Sequence, residues 1–394
     1  MKNKLYNYFI LIINKIYMGI APCCETPGKK SQLYNNQNNL NNMYSLNIDK
    51  RDFDLANSVN NNIQSQNPVA SINENILKNS TTSLKPNETI PIQNTPSINN
   101  SVQSINQQSP FKCIKSFRAH ENKIVSLIEL HNGLIATGSY DSTIKIWDIY
   151  SHQILTVIKE TGNVLCLLEF DPGKILSGTD QNVINLWDIN NSNNQSLCTF
   201  EGHLLWVNCL VKCNENYFAS GSNDSDIRIW SYQEKECINV LKGHNNCVLS
   251  MVLLIDGNLC SGSADLSIKI WNWVDGTCVQ TLNGHKKWVK CVYQLSNGYI
   301  ISGSDDKKIK IWSNYKCIKD LNEHTKSVRS FCQISDNLFA SASFDKTIKI
   351  WDINNLRMLQ NLEGHQANVI CIIFHSSGVL ISCSTDHTIK VWKN

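Results

Sequence analysis

The sequence predicts an all-β fold of tandem repeats, and three observations predict it. First, Trp147, Trp187, Trp230, Trp271, Trp312, Trp351 and Trp392 follow one another at 40, 43, 41, 41, 39 and 41 residues. A fixed period near 40 marks an architecture in which each unit covers its neighbour. Second, in six of the seven units a His precedes an Asp by 21 residues and a Trp by 27. The His–Asp pairs are His120/Asp141, His203/Asp224, His244/Asp265, His285/Asp306, His324/Asp345 and His365/Asp386. Spacing between units varies while this block does not, so its three residues are expected in mutual contact. Third, the segments before each Trp alternate, as in Ile309-Lys310-Ile311, with Ile144/Ile146, Ile268/Ile270, Ile348/Ile350 and Ile389/Val391 repeating the pattern. Alternation of this kind predicts strands with one buried and one wet face. Asp256-Gly257 and Ser296-Asn297-Gly298 read as hairpin turns, because Gly and Asn accept positive φ.

These residues resemble the WD-repeat β-propeller family. The resemblance rests on Gly-His at 202–203, 243–244, 284–285 and 364–365, on the Ser-Gly-Ser-x-Asp segments, and on Trp-Asp at 147–148, 187–188 and 351–352. It covers residues 111–394 and implies a seven-bladed β-propeller of four-stranded antiparallel blades around a channel. The chain stops at Trp392-Lys393-Asn394, one strand short of a full last unit. The resemblance implies that residues 112–117 supply that strand and close the ring, which removes an open sheet edge.

Ser, His and Asp in six of the seven units invite a hydrolase triad. A nucleophile site is built once, however, not six times. The expected alternative is a buried hydrogen-bond chain linking His, Asp, a strand Ser and Trp. The second unit departs from the pattern: aligned on Trp187, Glu160 stands at the His position and Gln181 at the Asp position. With both partners replaced together, this unit is expected to lack the network.

Composition divides the chain near residue 110. All ten His and all ten Trp lie beyond it, whereas residues 31–110 hold 20 Asn and 8 Gln. Polar, Trp-free, low-complexity sequence cannot bury enough apolar surface to offset its ordering entropy, so residues 1–110 are expected to be disordered. The first 17 residues read as a possible leader of AT-rich coding sequence, with Met18 as the working start. A secretory signal is the competing reading, with Tyr8 to Ile13 as a short apolar core. From Met18 the chain would begin Met-Gly-Ile-Ala-Pro-Cys-Cys, which resembles an acylated terminus with Gly19 for myristate and Cys23 and Cys24 for palmitate. A membrane contact is expected only through that acylation, at the cytoplasmic face; otherwise the protein is expected in the cytoplasm.

Of the sixteen Cys, nine recur at two equivalent positions of successive units, Cys166, Cys209, Cys291 and Cys371 at one and Cys113, Cys198, Cys237, Cys278 and Cys317 at the other, too far apart for bridges. They read as small core residues of an intracellular protein. No Cys/His cluster has zinc spacing, so neither metal nor cofactor is expected. Residues 111–394 carry 27 basic and 27 acidic side chains, a neutral balance that argues against nucleic acid as a partner. Residues 286–329 are locally basic, with ten cations against four acids. A solvated edge and an acidic-ligand site both fit that excess.

The expected function is a non-catalytic scaffold, a monomeric propeller that binds protein or peptide ligands, acidic or phosphorylated ones among them, and assembles complexes. The resemblance implies contacts at the channel mouth, from the residue before each tight-turn Asp and from the start of each inner strand. On this chain those positions include Tyr140, Asp180, Asp305 and Phe344, and Lys123, Trp206, Trp288, Lys290 and Arg329. Exposed Trp, Tyr and Arg are what binding hot spots use. The alternatives are a substrate-recognition subunit of a ubiquitin ligase and, more remotely, an enzyme using the channel.

Overall fold

The computed structural model describes residues 109–191 and 195–394, which form 28 strands in seven four-stranded antiparallel sheets. The Asn-rich region, the leader and the acylation candidates Gly19, Cys23 and Cys24 lie outside the described residues. Blades one to six occupy residues 124–159, 164–200, 207–241, 248–283, 289–321 and 328–362. Blade seven combines residues 369–393 with the strand Lys112–Arg118, which pairs antiparallel with Thr388–Lys393, Phe117 facing Ile389. Just before it, Phe111 donates its N–H to Gln360 Oε1 at 2.9 Å and accepts from Gln360 Nε2 at 2.8 Å, which ties the entering chain to blade six.

The innermost strand of each blade packs beside that of the next, and Val369–His375 of blade seven beside Ile124–Glu129 of blade one. Apolar clusters fill each junction. Ile309 and Ile311 of blade five meet Val328, Phe339 and Trp351 of blade six. Trp312 points the other way, to Ile268 and Ile270 of blade four. Ile135 and Trp147 of blade one meet Ile381 and Ile389 of blade seven, so the ring is continuous.

This packing corrects the expectation of a wet strand face. Lys310 is 8% and Lys349 7% exposed. Both faces of a blade are covered by neighbouring blades, so the alternation separates two kinds of buried side chain. The lysines lay their aliphatic stems across the blade and carry the ammonium to the outer strand. Lys310 Nζ lies 2.6 Å from Asp320 Oδ1, and Lys349 Nζ lies 2.8 Å from Asn361 Oδ1. The cysteines also divide. Cys166 and Cys291 are buried on inner strands, but Cys113, Cys278 and Cys317 are exposed, because the outermost strand has solvent beside it.

Candidate functional site

Six blades carry the same hydrogen-bond chain. In blade four Trp271 Nε1 donates to Ser261 Oγ at 2.8 Å, Ser261 Oγ meets His244 Nε2 at 2.7 Å, and His244 Nδ1 donates to Asp265 Oδ2 at 2.7 Å. His203–Asp224, His285–Asp306, His324–Asp345 and His365–Asp386 repeat it with Trp230, Trp312, Trp351 and Trp392. In blade one Thr137 replaces the serine between His120–Asp141 and Trp147. These partners favour a neutral imidazole, with Nδ1–H donating to the carboxylate and Nε2 accepting the hydroxyl.

The electrostatics agree with that assignment. Burial lowers the pKa of His120, His324 and His365 below 6.5, and the Asp partners offset only part of the effect. Burial alone would raise the Asp224 carboxyl, but hydrogen bonds from His203 and from the Leu204 and Asp226 N–H groups outweigh it and hold it at about 2. The same opposition holds Asp141, Asp265, Asp306, Asp345 and Asp386 well below the usual carboxylate range.

Stability should therefore depend on pH in two stages. The three histidines have folded pKa values below their unfolded value, so the unfolded chain takes up protons first and stability falls as pH drops below about 6.5. The aspartates add a second, steeper loss as pH falls from about 4 through their depressed folded values. Urea midpoints measured from about pH 8 to pH 3 test this; a midpoint unchanged between pH 7 and 5 contradicts the neutral imidazoles.

Blade two corrects the expectation that it lacks a network. Glu160 is buried, and its carboxylate collects Asn185 Nδ2 at 2.9 Å, Trp187 Nε1 at 3.0 Å and the Ser177 hydroxyl. One acceptor-only carboxylate thus does the work of His and Asp together. Asn185, where Lys310 and Lys349 stand in other blades, completes it by accepting from Thr199 Oγ1 at 2.7 Å. Gln181 is exposed, and its side-chain amide donates to Asp180 at 3.2 Å and takes no part in the Glu160 network.

The network sets the geometry of the channel mouth. Each turn Asp also accepts from the backbone N–H after its His, as Asp306 does from Lys286 at 2.9 Å. A second serine, missed in the sequence reading although Ser-Gly-Ser recurs, ties the same two loops: Ser304 Oγ donates to the Lys287 carbonyl at 3.1 Å and accepts from Asp306 N–H at 3.0 Å. Turn and inner-strand residues are then joined directly. Tyr140 N–H donates to the Lys123 carbonyl at 3.1 Å, Asp180 to Asn163 at 3.3 Å, Asn223 to Trp206 at 2.9 Å, Asp305 to Trp288 at 3.0 Å and Phe344 to Ser327 at 2.9 Å. Of the residues singled out at the mouth, Tyr140 and Lys123 are thus joined in blade one, and Asp305 and Trp288 in blade five.

Their side chains differ by sector. Trp288 and Trp206 are 46% and 42% exposed, and Leu204 and Leu205, missed in the sequence reading, stand exposed beside Trp206. Lys123 Nζ lies 3.5 Å from the centroid of the half-buried Tyr140 ring. Lys290 Nζ lies 4.3 Å from the Trp288 centroid and 3.5 Å from Asp305 Oδ2. Asp305 in turn accepts from the Ser327 hydroxyl. Arg329 covers the Phe344 ring at 5.2 Å, and its Nε is buried without a hydrogen-bond partner among the described residues. On the axis, an open cavity of about 310 Å³ is lined at one level by Val125, Leu165, Asn208, Leu249, Lys290, Arg329 and Ile370. Both cations stand on blades five and six. Burial and the neighbouring Arg329 lower the Lys290 pKa, while Asp305 works against them.

Comparison with known proteins adds to this geometry. The family model for the WD domain, G-beta repeat, matches residues 111–148, 194–231, 235–272, 276–313, 315–352 and 356–393. It passes over most of blade two, where Glu160 replaces the His. A probable E3 ubiquitin ligase complex SCF subunit sconB of Aspergillus clavatus is 36% identical over 179 residues, covering 36% of this chain and 25% of that protein. A ribosome biogenesis protein WDR12 homolog of Culex quinquefasciatus is 26% identical over 153 residues, 38% of this chain and 36% of its own. WD repeat-containing protein 18 of Danio rerio is 31% identical over 130 residues, 28% of this chain and 30% of its own. The chain thus spans only about a quarter to a third of the length of these curated relatives.

Proposed function

The chain belongs to the WD-repeat family, and from that premise we propose that it is a non-catalytic scaffold whose channel mouth on blades five and six binds an acidic or phosphorylated peptide segment of a protein partner. One observation carries the reading: two cations stand together beside an exposed Trp, and Arg329 has no acidic partner among the described residues. A guanidinium presents paired donors that match a carboxylate or phosphate, and Lys290 adds a point charge. Asp305 offsets part of the Lys290 field and leaves Arg329 as the principal anion contact. The cytoplasm is the proposed location, with membrane contact through an acylated N-terminus.

Alanine at Trp288 tests the face. Trp288→Ala should weaken binding of the full-length chain to a partner recovered with it by about 2 kcal/mol or more. Because Trp288 is exposed, the urea midpoint should stay where it is. Unaltered affinity would remove Trp288 from the interface.

A second reading has one observation behind it, the similarity to the subunit named sconB. In that reading the same face selects substrates for a ubiquitin ligase. Recovery of ligase subunits with the tagged full-length chain, undiminished by Arg329→Glu, would favour it, since the ligase contact would then lie away from the substrate face.

A further inference from the structure

Each blade turns sharply after its Asp position, and the next residue sits at positive φ: Ser142, Asn182, Ser225, Leu266, Lys307, Lys346 and His387. Six of these are polar or charged. Leu266 is the exception, at φ 74°. An L-residue is strained there, and Asn or a short polar residue relieves the strain more readily than Leu. Burial does not account for its presence, because Leu266 is 39% exposed. A strained, exposed, apolar residue points to function rather than stability.

Its surroundings indicate which function. Leu266 of blade four and Trp288 of blade five line an open cavity of about 340 Å³ together with Lys286, Lys287 and Asp305. Trp288 follows directly on the two lysines. The equivalent loops of the other blades offer no such pair: Glu121-Asn122-Lys123, Thr161-Gly162-Asn163, Leu204-Leu205-Trp206, Asn245-Asn246-Cys247, Thr325-Lys326-Ser327 and Gln366-Ala367-Asn368.

We propose that this cavity is an anchor pocket for one large apolar side chain of a bound peptide, and that the residues flanking the anchor are acidic. The proposal rests on the peptide-binding reading of this face and names the second half of its specificity. Leu266 and Trp288 supply two apolar walls at a volume within the range of small-ligand sites. Lys286 and Lys287 line the same cavity, while Asp305 is already engaged by Ser327 and Lys290. The field left over is positive, so charge complementarity selects acidic neighbours. A bilayer is the poorer occupant, because it takes up projecting apolar side chains, whereas Lys290 covers part of the Trp288 ring and Asp305 lines the same open cavity.

The test uses the full-length chain and immobilised ten-residue peptides with Leu, Phe or Ala at the centre, flanked by Asp or by Lys. Vesicles of phosphatidylserine and phosphatidylcholine form a parallel arm. Peptides with a central Leu or Phe between Asp residues should bind. Ala at the centre, or Leu266→Ser in the protein, should weaken binding about tenfold or more. Leu266→Ser should melt at the same temperature as the parent or higher, since Ser142 and Ser225 hold the same turn elsewhere. A merely structural Leu266 would give the opposite pair, a lower melting temperature and unchanged binding, and would overturn the proposal. So would loss of vesicle binding, rather than peptide binding, in Leu266→Ser. If Arg329→Glu abolishes peptide binding while Leu266→Ser leaves it intact, the pocket falls and the anion contact at the mouth stands.

Discussion

Glu160→Ala is expected to destabilise the propeller by about 2–4 kcal/mol, because it strands buried donors in the junction of blades one and two. Asn185 Nδ2 and the Ser177 hydroxyl lose their carboxylate, and Trp187 keeps only Ser177 Oγ at 2.9 Å. Asp306→Ala should cost a similar amount, since it leaves the His285 imidazole without its acceptor. Gln181→Ala, at an exposed side chain, should cost less than about 1 kcal/mol. The contrast is informative because Gln181 and Asp306 occupy equivalent positions. Urea melts compare the three, and equal losses for Gln181→Ala and Asp306→Ala would contradict the assignment of Glu160 as the centre of blade two. Glu160→His together with Gln181→Asp should recover stability lost by Glu160→His alone, since only the pair rebuilds the donor–acceptor chain of the other blades.

Removal of the closing strand should have the other large effect. Deletion of residues 1–105 leaves Phe111 and Lys112–Arg118 in place and should leave the melt unchanged. Deletion through Phe117 removes the partner of Thr388–Lys393, the Phe111–Gln360 pair and the Phe117 ring, which lies 5.4 Å from Trp147. It exposes a sheet edge and part of the junction between blades seven and one. The melting temperature should fall by about 10 °C or more, with concentration-dependent light scattering. Identical melts for the two deletions would show that this strand does not close the ring.

Much of the fold was legible because each unit repeats the same physical problem. The invariant spacing from His285 to Asp306 to Trp312 announced a contact, and the contact is a hydrogen-bond chain. What stayed hidden depended on neighbours. Lys310 looked solvent-facing because period-two alternation reports two faces of a strand and cannot say that another blade covers the second. Glu160 looked like a missing His because the alignment lost its partner at Gln181, while the compensating donor, Asn185, lies 25 residues away within the same blade. Leu266 is the one apolar residue among seven equivalent turn positions, but its positive φ and its place beside Trp288 in one cavity come from the structure alone. At the mouth, the resemblance singled out Trp288, Lys290, Arg329 and Phe344, but could not show that Arg329 lies over Phe344 and lacks a hydrogen-bond partner for Nε among the described residues.

Charge reversal at the mouth tests the central claim most directly. Arg329→Glu should weaken binding of an acidic partner by about 2 kcal/mol or more while leaving the melt nearly unchanged. Lys316→Glu, at the exposed start of the outer strand of blade five, should leave binding as it is. Both variants change the net charge equally, so a non-specific electrostatic effect would appear in both. Loss of binding with Arg329→Glu alone is the predicted result; binding that survives Arg329→Glu and fails with Lys316→Glu would move the interface to the rim and contradict the account.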